Sequence, residues 1–264
     1  MTDTATVSLR TEDRAYGKVA FLTVENERKL NTFSTPVMEA FVAAVEGLKD
    51  DAGLRALVVT GRGPKAFVGG ADIREMAGIR DEAGARAFIT RVHRTCASLR
   101  DLPVPVIGRV NGYALGAGLE LVAACDMRIA SDNAVFGMPE VRVGIPSVVE
   151  AALLPGLIGW GRTRRLLILA ENLDAAEALD WGLVEKVVPA AELDAAVDQW
   201  LDMIGAAGPQ AIRAQKALIR QWEDLPLREA VAAGIDSFAG SWKTPEPADM
   251  LGAFFAEKDK AKTG

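Results

Sequence analysis

Short strand-like runs alternate with helical patterns over roughly the first 190 residues, and this alternation constrains the fold more than any other feature of the chain. VAFLTV (19–24), LRALVVTG (54–61), VPVIGRV (104–110), MRIAS (127–131), AVFG (134–137) and GLVEKVVP (182–189) read as strands. LRALVVTG is apolar at consecutive positions, as expected of a strand covered on both faces. Ser34-Thr35-Pro36 opens a helix with a cap residue and a first-turn proline, followed by Val37, Phe41, Val45 and Leu48 on one face. Residues 81–100 place Ala85, Phe88, Ile89, Val92, Cys96 and Leu99 on one helical face. Further helices are expected over 148–158, 161–170 and 174–180, and FVGGADI (67–73) reads as a glycine-loosened loop. Beyond about residue 190 the pattern is almost purely helical. The expected organisation is an α/β core over 1–195 and a helical portion over 196–264, with no Gly/Ser linker between them.

Charge and composition exclude several functions. Lys and Arg number 30 against 36 Asp and Glu, a net charge of −6, so nucleic acid and anionic membrane are not expected partners. MTDTATVSLRTEDRAYG lacks a basic segment followed by an apolar run, and Glu120, Glu150 and Pro155 interrupt the longest apolar stretches. No membrane span and a cytoplasmic setting are therefore expected. Two cysteines, Cys96 and Cys125, and one histidine, His93, supply no evident metal site and little material for a Ser-His-Asp triad.

The stretch NGYALGAGLELVAAC (111–125) holds a single charge, Glu120. Its glycines, Gly112, Gly116 and Gly118, do not make a phosphate loop: no Gly-Lys-Ser/Thr ending follows, and Leu121 stands where a dinucleotide fingerprint needs its third glycine. A strand, a glycine turn and a helix in succession do expose backbone N–H groups. Gly69 and Gly70 precede Ala71 in a second such turn. Two loops of this kind could clasp one oxygen that becomes negative during reaction; equally, the glycines could serve tight turns and close packing. Glu120 and Glu140, the latter in FGMPE (136–140), could share a water, with burial and repulsion raising the pKa of one of them. The alternative is that each pairs with a nearby arginine such as Arg109 or Arg142.

KAFVGGADIREM (65–76), NGYALGAGLELVAACDMRIAS (111–131), AVFGMPEVRVGIP (134–146) and AAEALDWGLVEKVVP (175–189), with VENERKLNTFS (24–34), together resemble the crotonase superfamily, in particular its enoyl-CoA hydratases. The resemblance covers most of residues 15 to 200. It implies a spiral of repeated β-β-α turns with a helical C-terminal portion, and assembly as trimers or hexamers. It places the oxyanion N–H groups on Ala71 and Ala117 and the catalytic carboxylates on Glu120 and Glu140. The segment Ala71, Asp72, Ile73 and Arg74 would line the thioester, with Arg28, Lys29 and Lys65 near the CoA nucleotide; Phe238 and Lys258 would reach CoA from a neighbouring subunit. The implied reaction is addition of water to a trans-2-enoyl-CoA, Glu140 delivering the proton to C2. No metal or cofactor is implied, coenzyme A being part of the substrate. Other outcomes on the same frame are double-bond isomerisation, thioester hydrolysis or CoA binding without turnover. Where hydratases commonly carry Pro-Gly-x-Gly-Gly-Thr, this chain has Pro146-Ser147-Val148-Val149-Glu150, which should reshape the wall beside the acyl group. Glu150 reads as a helix-terminal charge and His93 as a structural histidine.

Overall fold

The computed structural model describes residues 6–263, and its strands alternate between two sheets. β1 (Thr6–Arg14) and β2 (Gly17–Glu25) form an antiparallel hairpin. β3 (Leu54–Gly61), β5 (Val106–Val110), β7 (Met127–Ser131) and β10 (Lys186–Val188) continue this sheet in parallel, in the order β1-β2-β3-β5-β7-β10. β4 (Ala66–Val68), β6 (Tyr113–Leu115), β8 (Val135–Gly137) and β9 (Asn172–Asp174) build the second sheet in that order. β3, β5 and β7 are each followed by a short strand in the other sheet and then by a helical segment. α1 (Thr35–Glu46) precedes β3; α2 (Ile73–Ala77) and α3 (Glu82–Asp101) follow β4; α4 (Ala117–Ala124) follows β6; α5 (Leu154–Leu169) and α6 (Ala175–Trp181) complete the core. These are the β-β-α turns of the expected spiral.

Strand alternation explains how the helical C-terminal portion attaches. Leu57 and Val59 of β3 face the main core, while Ala56 and Val58 face the opposite side. That second face is covered by Leu193, Ala196, Val197, Leu201 and Ile204 of α7 (Leu193–Ala206). α8 (Pro209–Trp222) is tied down by the buried Lys216, whose Nζ donates to Leu99 O (3.0 Å), Val104 O (2.9 Å) and Asp126 Oδ2 (2.7 Å). α9 (Leu227–Ser241) and α10 (Glu246–Thr263) leave Leu227, Ile235, Phe238, Trp242 and Phe254 exposed. Among the described residues no helix is long and apolar enough to cross a membrane.

Four local readings change. The loop expected over 67–73 is a three-residue strand, a turn and a short helix; such a strand is too short to show a period in sequence. β1 is absent from the strands read in the sequence: Val7 and Leu9 alternate with polar residues, but the run is short, charged on both faces and mostly exposed. The helix expected over 148–158 is a 3₁₀ turn, Val149–Leu153, leading into α5, which absorbs the helix expected over 161–170, ends at Leu169 and holds a non-helical Gly159. In the strand expected over 182–189 only Lys186–Val188 pairs, with β7 alone, at the sheet edge.

Asn111 joins this frame to the glycine-rich stretch that follows it. Its Nδ2 donates to Gly61 O (2.9 Å) and Ala66 O (3.1 Å), and its Oδ1 accepts from Gly61 N–H (3.2 Å). One side chain therefore holds the end of β3, the start of β4 and the entry to β6 together. Asn111→Ala should lower unfolding free energy by about 2–4 kcal/mol, because the backbone groups it satisfies lose their partner in a dry interior; urea denaturation followed by circular dichroism measures it.

Candidate active site

Glu120 lies on the first turn of α4 among Leu119, Leu121 and Val122, and is only 5% exposed. The helix packs so closely on β4 that a Cβ added to Gly118 would come within 1.9 Å of Val68 O. Gly116, the N-cap, has φ +52° and ψ −121°, a conformation that side chains resist. A Cβ there would also meet Glu140 Oε1 at 2.4 Å. The carboxylate of Glu140 therefore lies over the start of α4, where Ala117 N–H precedes the first intrahelical bond.

Glu140 begins a 3₁₀ turn, Glu140–Val143, directly after Pro139. Its Oε2 accepts a hydrogen bond from Ser147 Oγ at 2.8 Å. The two glutamates reach one cavity from separate elements. This cavity measures about 400 Å³, and its walls are largely apolar, with Met76, Phe88, Ile89, Val92 and Leu115 among them. Gly69, Gly70 and Ala71 line it from one side, Gly116 and Ala117 from the other. Phe33 bridges this first turn: its N–H donates to Gly70 O (2.8 Å) and its carbonyl accepts from Asp72 N–H (2.8 Å). A parallel bridge of that form leaves Ala71 N–H outside it.

The alternative arginine pairs are not formed. Arg109 Nε donates to Asp194 at 2.7 Å, and Arg142 lines the cavity without an ion pair to either glutamate. Burial, left without a compensating cation, pushes the Glu120 carboxyl up to about 8, and the charges of Glu140 and then Glu150 add to the effect. The amides of Val148 and Ala151 face the same carboxyl and oppose the shift in part.

Other sequence-derived positions scatter. Ile73 lines the cavity mouth. Asp72 caps α2 by accepting from Arg74 N–H (2.8 Å) and Glu75 N–H (3.3 Å), and meets Lys29 Nζ at 3.4 Å. Arg28, Lys65 and Arg74 are exposed outside the cavity wall. Phe238 on α9 packs at a tilt against Trp242 just beyond the helix, ring centroids 4.8 Å apart, and Lys258 is exposed on α10; neither lines the cavity. Sequence reasoning missed the contact of His93 with Glu150, 2.8 Å from Nδ1 to Oε1. The signal was the departure at 147–150, but residues 57 positions apart give no hint of meeting. A second cleft, about 490 Å³, lies between α4 and α8; its Arg100 and Arg128 are already paired with Glu223 and Glu185.

A family profile described as enoyl-CoA hydratase/isomerase matches residues 14–262. The chain belongs to the enoyl-CoA hydratase/isomerase family. It is 35% identical over 243 residues to the short-chain-enoyl-CoA hydratase of Clostridium acetobutylicum, covering 92% of this chain and 93% of the relative. The crotonyl-CoA hydratase of Syntrophomonas wolfei is also 35% identical, with 92% and 94% covered. Among solved structures, an enoyl-CoA hydratase from Bacillus anthracis superposes with a TM-score of 0.89 at 31% identity, covering 94% of this chain and 96% of that one. This family member therefore carries both glutamates of the resemblance on one cavity wall.

The raised Glu120 pKa fixes a stability trend. The folded protein holds a proton there up to about pH 8, whereas an unperturbed glutamate releases it near 4.5. Its contribution is fully present below the lower value and is lost as pH rises to the upper one. Glu120→Gln should gain stability over wild type across that window, by on the order of a few kcal/mol at its top, seen as diverging denaturation midpoints.

Proposed function

We propose that the chain is an enoyl-CoA hydratase, adding water syn across the 2,3 double bond of a trans-2-enoyl-CoA to give a 3-hydroxyacyl-CoA. The observation that carries this reading is the convergence of Glu120 and Glu140 on one apolar cavity flanked by two glycine turns. The thioester carbonyl sits between the N–H groups of Ala71 and Ala117. Each donor of this type is worth about 10²–10³ in rate when aimed at an oxygen that gains charge.

Glu120 and Glu140 line one cavity, and burial keeps a proton on Glu120 near neutral pH. A water lying between them lets that proton pass from Glu120 to Glu140. Glu120, now a carboxylate, takes a proton from the water as its oxygen bonds to C3. The π electrons move toward C2 and the thioester oxygen, and Glu140 delivers its proton to C2. The pair ends with the proton back on Glu120, as in the empty site. Ser147 holds Glu140 in the orientation this delivery needs.

The names of the two relatives support a short acyl chain. Arg28, Lys29 and Lys65 serve the CoA nucleotide, as the resemblance implies. The chain works in the cytoplasm, in fatty acyl-CoA degradation. The apolar residues left exposed on α9 and α10 support burial against further copies in a trimer or hexamer, with Phe238 and Lys258 approaching a neighbour's CoA.

Mixing the protein with crotonyl-CoA should bleach the enoyl-thioester absorbance. A spectrum unchanged with every chain length from crotonyl to dodecenoyl would sink the hydratase reading, while released thiol would indicate hydrolysis instead. Glu120→Gln and Glu140→Gln should each lower kcat by about 10²–10⁴, the range general acid–base groups supply, with an unaltered circular dichroism spectrum.

A further inference from the structure

Glu150 is the third carboxylate of this region, and hydration as derived above does not use it. It is 6% exposed, and only one of its oxygens is satisfied: Oε1 faces His93 Nδ1 at 2.8 Å, whereas Oε2 is buried with no partner. A half-satisfied buried carboxylate is costly, so its retention needs a reason. The backbone that carries it is also unusual. Val149, immediately before it, has φ +39°, a left-handed conformation that a β-branched residue adopts only under constraint.

The strained turn connects two sites. The amides of Val148 and Ala151, which flank Glu150 in the chain, face the carboxyl of Glu120. The Glu150 side chain itself runs to α3, where His93 is half exposed and open to solvent protons. A single 3₁₀ turn therefore holds the Glu120 carboxyl through its backbone and an exposed imidazole through its side chain. The groups that face this cluster are few. His93 and Cys96 come from α3, Glu120 from α4, and Glu140 faces Glu120 from its own turn. Burial pushes the Cys96 thiol far up, so it stays neutral and contributes no charge.

We propose that Glu150, held by His93, is a positioning residue for Glu120: it fixes the negative charge against which Glu120 takes up and returns its proton. Glu150 touches no substrate. Its charge disfavours the Glu120 carboxylate and so favours the tautomer in which the proton rests on Glu120. Burial raises the proton affinity of Glu150 and the facing His93 opposes that rise, so the tuning is conveyed to the site from an exposed group. The proposal rests on the hydratase reading of Glu120.

His93 is the sole histidine, so its ring signals are read by NMR without assignment. The test compares wild type with Glu150→Gln and Glu150→Gly, the second removing the side chain in case the amide disturbs folding. Two quantities are read: the His93 ring signals, and the pH limb of crotonyl-CoA hydration that reports the glutamate pair. Loss of Glu150 should shift the His93 ring signals, since Nδ1 loses the carboxyl it faces. The same loss should move the limb to lower pH by roughly half a unit or more, since Glu120 loses a like charge. If kcat falls while the limb stays in place, Glu150 is merely structural and the proposal fails. Histidine ring signals unmoved by both substitutions overturn it too, because the pair would not exist in solution. Should the wild type not hydrate crotonyl-CoA at all, the hydratase reading is what has failed. The infrared band of the protonated carboxyl, identified by its loss in Glu120→Gln, then reads the same displacement without turnover: a shift on removing Glu150 supports the tuning, and no shift overturns it.

Discussion

A carboxyl group packed inside an apolar helix is the constraint around which the rest of this structure is arranged. Glu120 is buried on α4, and among the described residues no arginine or lysine pairs with it. Desolvation alone pushes its proton affinity toward the neutral range, and the nearby carboxylates push it further. A fold does not tolerate such a group unless its immediate frame is rigid. Here that frame is the junction of the two sheets: Gly118 lets α4 lie on the backbone of β4, and Asn111 fastens β3, β4 and the entry to β6 around the same corner.

The rigid corner also determines the direction of the donors. Gly116 turns the chain sharply into α4 and leaves room for Glu140 above the helix start. Free N–H groups at a helix N-terminus attract negative charge, so one place in the molecule gathers backbone donors and a pair of acids around an apolar cavity. Acid–base chemistry next to a polarised carbonyl follows from that combination, and the family to which the chain belongs is consistent with it.

Much of this was legible before the fold was known, and particular residues show why. The lone charge in NGYALGAGLELVAAC marked Glu120 because ionisable groups avoid apolar runs. The two glycine turns marked Ala71 and Ala117, and long apolar runs such as LRALVVTG marked the main sheet. The short strands of the second sheet escaped notice or were read loosely, since three residues carry no measurable period. Glu150 was misjudged for a different reason. A helix-terminal acid and a buried acid look alike in sequence, and only the packing of α3 against the 149–153 turn distinguishes them.

The sequence by itself determined the order of elements, the candidate acids and the backbone donors, because these depend on local periodicity and on residues whose cost can be judged one at a time. Tertiary structure alone decided that Arg109 turns to Asp194 rather than to a glutamate, that Ser147 reaches Glu140, and that His93 meets Glu150. Those pairings depend on distances between residues remote in the chain, and they set how much charge and water each carboxyl sees. Proton affinity is a property of that surroundings and not of the residue, so the chain names the acids while the fold assigns them their protons.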